Sequence, residues 1–165
     1  MRSERGFTLM EAVVVMGIVG VLAAVVIPSV QIAIDRNRVF TTTDLVAGQI
    51  RSARLAAITR NTSFRVIFDC PVAGAMRMVE FFNDPAIDAD PDRCTNDQPN
   101  DGPVIYMPPG VTFGNGATPP TLRVNGRGEF TAEGGSMPQN ISVTYESHTR
   151  TVNVTAAGRV RTPNS

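Results

Sequence analysis

Residues 7–34 form an uncharged run broken only by Glu11, and a short leader carrying Arg2 and Arg5 precedes it and ends in Gly6. As a helix the run is about 40 Å long, more than the roughly 30 Å hydrocarbon core of a bilayer, so it crosses a membrane with residues to spare. A carboxylate at that depth costs roughly 2.5 to 3.5 kcal/mol on insertion scales. Glu11 therefore requires either a cationic partner or a route to water. By the positive-inside rule the leader arginines place the N-terminus in the cytoplasm and everything after the run outside it. A cleaved secretory signal is the rival reading, and it needs small residues at a cut site beyond the apolar stretch. Ala23 and Ala24 lie within the stretch and the helical pattern continues past Pro28, so a retained anchor is expected.

The 165 residues leave room for one domain of ordinary size after the anchor. Val39, Val46, Ile50, Ala53 and Ala57 recur at helical spacing between Arg36, Arg38, Arg51, Arg54 and Arg60, which predicts an amphipathic helix to about residue 59. Pro28 removes a backbone donor inside this long helix and is expected to kink or loosen it. From Asn61 the period shifts towards two. Strands are expected over 63–68, 76–82, 104–107, 121–125, 129–131, 141–145 and 151–155, with a short one over 159–161. Asn125, Gly126 and Gly128 mark a tight turn, residues 146–150 read as the loop of a terminal hairpin, and residues 83–103 read as an irregular loop. The expected fold class is α+β, a long N-terminal helix packed on an antiparallel β-sheet headgroup. Its divisions are residues 1–6, 7–34 and 35–165.

All fifteen basic residues are arginine and the formal charge is balanced, so the total excludes no class of partner. The distribution is uneven. Eight acids between Asp69 and Asp101 face only Arg77 and Arg93, whereas from Leu122 onward Arg123, Arg127, Arg150, Arg159 and Arg161 outnumber Glu129, Glu133 and Glu146. Cys70 and Cys94, outside the cytoplasm, read first as a disulfide, with two buried thiols as the alternative. Such a bridge adds about 3 kcal/mol in the chain-entropy model. Two cysteines and a distant His148 do not supply a zinc site. Asp88, Asp90 and Asp92 alternate like the start of a calcium loop, but Arg93 and Pro99 stand where an EF-hand needs Gly and Glu. An EF-hand is excluded, while a looser calcium site and a plain solvated loop both stay open. His148 has no recognisable Ser, Cys or Asp partner, so neither an enzyme nor a cofactor is expected.

The segment Gly6-Phe7-Thr8-Leu9-Met10-Glu11, followed by an apolar helix with Pro28, resembles the class III signal of type IV pilins and pseudopilins. Met10 stands where Ile is more usual, a volume-conserving change. The resemblance implies cleavage between Gly6 and Phe7 by a prepilin peptidase, followed by N-methylation of Phe7. It also implies a partner for Glu11: the carboxylate of an incoming subunit neutralises the amine of a neighbour's Phe7. Such a head-to-tail contact builds an open helical filament. The competing reading, that Glu11 snorkels to water, leaves the Gly-Phe junction unexplained.

The remainder resembles the GspH/FimT group of minor pilins and pseudopilins, with a long helix, a β-rich headgroup and a terminal hairpin ending in Gly-Arg. Gly158-Arg159-Val160-Arg161 matches the Gly-Arg-x-Arg ending of FimT-like pilins, which implies contact with double-stranded DNA in natural transformation. On an extended segment Arg159 and Arg161 point to the same side, Gly158 lets the backbone turn or approach closely, and Arg123, Arg127 and Arg150 widen the patch if the hairpins adjoin. Against this, terminal arginines also serve as a solvated edge, and secretion-type members end in Gly-Arg as well. The expected function is that of a FimT/FimU-like minor pilin in a type IV pilus. The alternative is minor pseudopilin H of a type II protein secretion system. Expected partners are other pilins or pseudopilins, the prepilin peptidase and the bacterial inner membrane, with the headgroup periplasmic.

Overall fold

The computed structural model describes residues 8–95, 97–114 and 117–163, so Gly6 and Phe7 lie outside the described residues. The chain divides into two compact units, Met1–Arg36 and Asn37–Ser165. Helix α1 (Leu9–Arg60) contributes to both.

In the first unit Thr8 caps α1. Its carbonyl accepts the Ala12 N–H at 3.2 Å and its hydroxyl oxygen accepts the Glu11 N–H at 3.3 Å. This is the N-cap geometry expected of threonine, with Glu11 three residues on, where a carboxylate also complements the helix dipole. The helix runs through Pro28 without a break. Its large apolar side chains in this unit, among them Val13, Ile18, Leu22, Val26 and Ile34, are exposed. No aqueous folding argument accounts for that arrangement, whereas a lipid or protein environment does.

In the second unit α1 buries a stripe of Val39, Thr42, Thr43, Val46, Ala47, Ile50, Ala53 and Ala57. Steps of three, four and one keep these positions on one face. Ile50 is fully buried, and a side chain of that size contributes roughly 1.5 to 3 kcal/mol on leaving water. Asn61 ends the helix with φ 51°, and the Thr62 N–H donates back to the Ala57 carbonyl at 3.2 Å.

Two antiparallel sheets complete this unit. The first holds β1 (Ser63–Phe68), β2 (Ala75–Phe81), β3 (Ile105–Tyr106), β5 (Leu122–Val124) and β6 (Phe130–Ala132) in the order β3-β2-β1-β5-β6. The second holds β4 (Val111–Phe113), β7 (Gln139–Tyr145), β8 (His148–Val154) and β9 (Val160–Arg161) in the order β4-β7-β8-β9. Alternate residues face the core: Phe64, Val66 and Phe68 from β1, Leu122 and Val124 from β5, Ile141 and Val143 from β7, Val152 and Val154 from β8. They form one cluster with the buried stripe of α1.

One strand is added to those expected and two expectations are corrected. Residues 111–113, too short to show a period, form edge strand β4. Residues 146–150 are not a loop, because Tyr145 pairs with His148 and only Glu146 and Ser147 make the turn. Residues 83–103 contain a short helix α2 (Pro85–Asp88) and a 3-10 turn (Pro91–Cys94).

That last segment covers the open edge of β2. The Gly102 N–H donates to the Met78 carbonyl at 2.8 Å, Asp101 accepts the Glu80 N–H at 2.8 Å, and Arg93 donates to the Glu80 carbonyl at 2.9 Å. Asp88 accepts the Phe82 N–H at 3.1 Å. Side chains thus take the place of a neighbouring strand, and the edge offers few unpaired groups.

Candidate functional site

Cys70 and Cys94 are joined in a disulfide with Cα atoms 5.5 Å apart, which ties the β1–β2 turn to the segment covering β2. Within that segment Arg93 pairs with Asp101, both side chains almost fully buried, and Arg77 pairs with Asp97. Burial pushes the Asp101 carboxyl up. Hydrogen bonds from Arg93 and from the Glu80 and Gln98 N–H groups, with the Arg93 charge, outweigh it and hold the carboxyl below its ordinary value. The hydrogen bond to Asp101 likewise raises the Arg93 guanidinium above its ordinary value, against desolvation. Asp88 accepts the N–H groups of Phe82 and Asp84, and Asp84 caps α2 through the Ala86 N–H. These carboxylates are structural ligands of the backbone. Among the described residues no group of three or more metal-binding side chains converges.

The arginines proposed from sequence divide among three places. Arg123 lies on β5 opposite Arg65, on the side of the sheet away from the core, with its guanidinium carbon 4.8 Å from the Phe81 ring centroid. Arg150 pairs with Val143 on β8 and shares a face with Val152 and Val154, so it points inward, where it stacks on Phe40 at 4.3 Å. Arg161 pairs with Asn153 and shares the opposite face of that sheet. The widened patch that included Arg123 and Arg150 is therefore not formed, because strand alternation sends those side chains to other faces.

The turns that carry Arg127 and Arg159 do adjoin, packed around an arginine of α1. The Arg54 Nε donates to the Gly128 carbonyl at 3.0 Å, and a Cβ on Gly158 would stand 2.2 Å from that Nε and 2.3 Å from the Gly128 oxygen. Gly158 also has φ 83°, so glycine is required there both for conformation and for space. The Phe130 N–H donates to the Ala156 carbonyl at 2.8 Å and joins the same two turns. Arg127, Arg159 and Arg161 are exposed beside them. Arg51 reaches from α1 to the Val160 carbonyl at 3.3 Å and, with Asn140, Asn153 and Arg161, lines an open groove of about 520 Å³. Sequence reading placed Arg51 and Arg54 only as polar positions of a helix. Their contacts join residues 109 and 74 positions apart, for which a single sequence carries no local signal.

At the other candidate position Glu11 is exposed on the first turn of α1, four residues after Phe7 in the sequence. The model of the prokaryotic N-terminal methylation motif matches residues 1–27, and that of the type II transport protein GspH matches residues 42–158. The chain belongs to the GspH/FimT family of minor pilins and pseudopilins. Its fold is similar to that of the type IV minor pilin FimU of Pseudomonas aeruginosa, with a TM-score of 0.55 at 9% identity over 78% of this chain and 90% of that one. No curated protein matches the chain. Membership of the family, a structural pilin group, accounts for the α+β architecture, the apolar N-terminal helix and assembly with other pilins or pseudopilins.

Proposed function

We propose that this chain is a minor pilin-like subunit of a type IV pilus, held in the bacterial inner membrane until assembly, with its N-terminus cytoplasmic and its headgroup periplasmic. In this reading residues 1–6 are the leader, residues 7–34 the transmembrane and filament-core helix, and residues 35–165 the headgroup. Prepilin peptidase cuts between Gly6 and Phe7, the new amine is methylated, and Glu11 pairs with the amine of a neighbour. The reading assigns no enzymatic activity.

Glu11 carries the proposal: it is the lone charge in residues 7–34, and the large apolar side chains from Leu9 to Ile34 around it are exposed. A cation created only by cleavage at Phe7 supplies the partner that a membrane-depth carboxylate needs. Intact-mass analysis of the mature protein is expected to show loss of residues 1–6 and gain of one methyl group, and retention of the leader would refute processing. Glu11→Ala is expected to leave the subunit in the membrane and out of the filament; wild-type incorporation would remove the charge pairing.

A second task, contact with double-stranded DNA without sequence preference, is favoured by the exposed Arg127, Arg159 and Arg161, the last of which lines the groove with Arg51. Phosphate recognition of this kind weakens steeply as salt rises. The alternative assignment, minor pseudopilin H of a type II protein secretion system, uses the same N-terminal chemistry. Deletion in the native host separates the two: loss of pilus-dependent transformation supports the first, and loss of protein secretion supports the second.

A further inference from the structure

Arg38 and Phe40 stand two residues apart on α1, about 200° around the helix, and so leave it on opposite flanks. On one flank the Arg38 guanidinium lies 4.8 Å from the Tyr145 ring centroid and donates to the Tyr145 hydroxyl. On the other, Arg150 lies 4.3 Å from the Phe40 centroid. Tyr145 and Arg150 are diagonal neighbours on the β7–β8 ladder. Two cation–π contacts therefore grip α1 from both sides, where it begins its course through the headgroup.

Neither guanidinium has a carboxylate: among the described residues Arg38 and Arg150 form no ion pair. The Nη1 of Arg150 is buried without a hydrogen-bond partner among those residues. Arg150 also occupies the next inward position after Val154 and Val152, so the apolar row of β8 ends in a cation. A partly desolvated charge with no counter-ion is costly unless an anion from outside the chain completes it. Arginine beside an exposed Phe40 and a half-buried Tyr145 is, moreover, the composition of a membrane–water interface. Ile34, the end of the apolar run, precedes Arg38 by four residues, which keeps their Cα atoms within about 14 Å whatever path the chain takes.

We infer that Arg38 and Arg150 form a collar that docks on phospholipid headgroups, each guanidinium taking a lipid phosphate at the surface of the membrane that stores the unassembled subunit. The inference rests on the membrane-anchored reading proposed above. Cations on opposite flanks of a helix do not share one small anion, which favours a surface of many phosphates over a soluble phosphate. Nearness in sequence to the apolar run favours lipid over nucleic acid.

The test uses the full processed chain in nanodiscs of phosphatidylcholine, alone or with about 30% phosphatidylglycerol, and reads amide hydrogen exchange over residues 144–150. Exchange is expected to slow in the anionic discs by about fivefold for each arginine, the order of magnitude for a basic side chain at such a surface. An Arg38→Gln, Arg150→Gln variant is expected to lose the difference while residues 141–143 stay protected, which shows that the fold persists. Arg38→Lys, Arg150→Lys and, separately, Arg159→Gln, Arg161→Gln are expected to keep it. Equal exchange in both discs, or a difference that survives the double Gln change, overturns the inference. So does equal slowing by inorganic phosphate or by duplex DNA in phosphatidylcholine discs. Release of the chain from discs by alkaline carbonate overturns the anchored reading itself, whereas an anchored chain blind to lipid composition overturns the collar alone.

Discussion

On the five-stranded sheet and the segment that covers it, Arg65, Arg77 and Arg93 each meet a carboxylate, from Glu133, Asp97 and Asp101 respectively. On the four-stranded sheet Arg150, Arg159 and Arg161 form no ion pair among the described residues. The charge is balanced over the whole chain, yet its acids are concentrated between residues 69 and 101. Arg65, Arg77 and Arg93 therefore act as internal fasteners of one sheet, although Arg123 on its β5 has no ion pair among the described residues, whereas the arginines on and beside the other sheet meet no carboxylate among those residues. Solubility and overall charge are indifferent to this division, but stability and binding should separate along it.

The largest effect is expected where a fastener is cut. Asp101→Ala leaves Arg93 buried without its partner and should lower the unfolding free energy by about 3 to 5 kcal/mol, measured by urea denaturation of a headgroup fragment. A concurrent Arg93→Met change should recover much of that loss. Next comes the turn that joins the sheets. Gly158→Ala brings a Cβ to 2.2 Å from Arg54 at φ 83° and should cost roughly 2 to 4 kcal/mol. Gly134→Ala, at φ 75° with nothing within 4 Å, should cost only about 1 to 2 kcal/mol.

Acid should loosen the Arg93–Asp101 fastener. Because the folded-state value of Asp101 lies below its ordinary 3.8, its stabilisation is fully present above that value and is lost as pH falls through the lower, folded-state one. The raised value of Arg93 leaves it charged throughout this range, so it adds no acid transition. Denaturation midpoints between neutral pH and pH 3 should therefore fall less in Asp101→Asn than in the native chain. Smallest of all should be the effect of Arg159→Gln with Arg161→Gln on stability, with an unchanged melting temperature. If the DNA reading holds, the same double change should lower the salt slope of duplex binding by about 2.

Much of this fold was legible because periodicity reports burial. The stripe from Val39 to Ala57 has helical spacing, and the core residues of β1 and β7 alternate, so local sequence and global packing agree. Three kinds of feature were not. β4 is three residues long, too short to show a period, and is held by its pairing with β7. The acidic segment shows no regular pattern in the sequence because its order comes from Asp88, Arg93 and Asp101 binding backbone groups of β2, a relation between distant residues. Arg150 was grouped with Arg159 and Arg161 by charge, whereas the register of β8 turns it to the opposite face from Arg161. The turn role of Gly158 was legible, since a glycine before a short strand signals close approach, but the arginine it approaches was not.

The cover over β2 has a consequence for a protein whose family assembles in ordered rows. Identical headgroups brought side by side present their sheet margins to one another at high local concentration, the condition under which strands of different molecules zip together. Here the backbone groups of Met78, Glu80 and Phe82 are already occupied by the chain's own side chains and loop. Neighbours are left without a template for strand pairing along that margin.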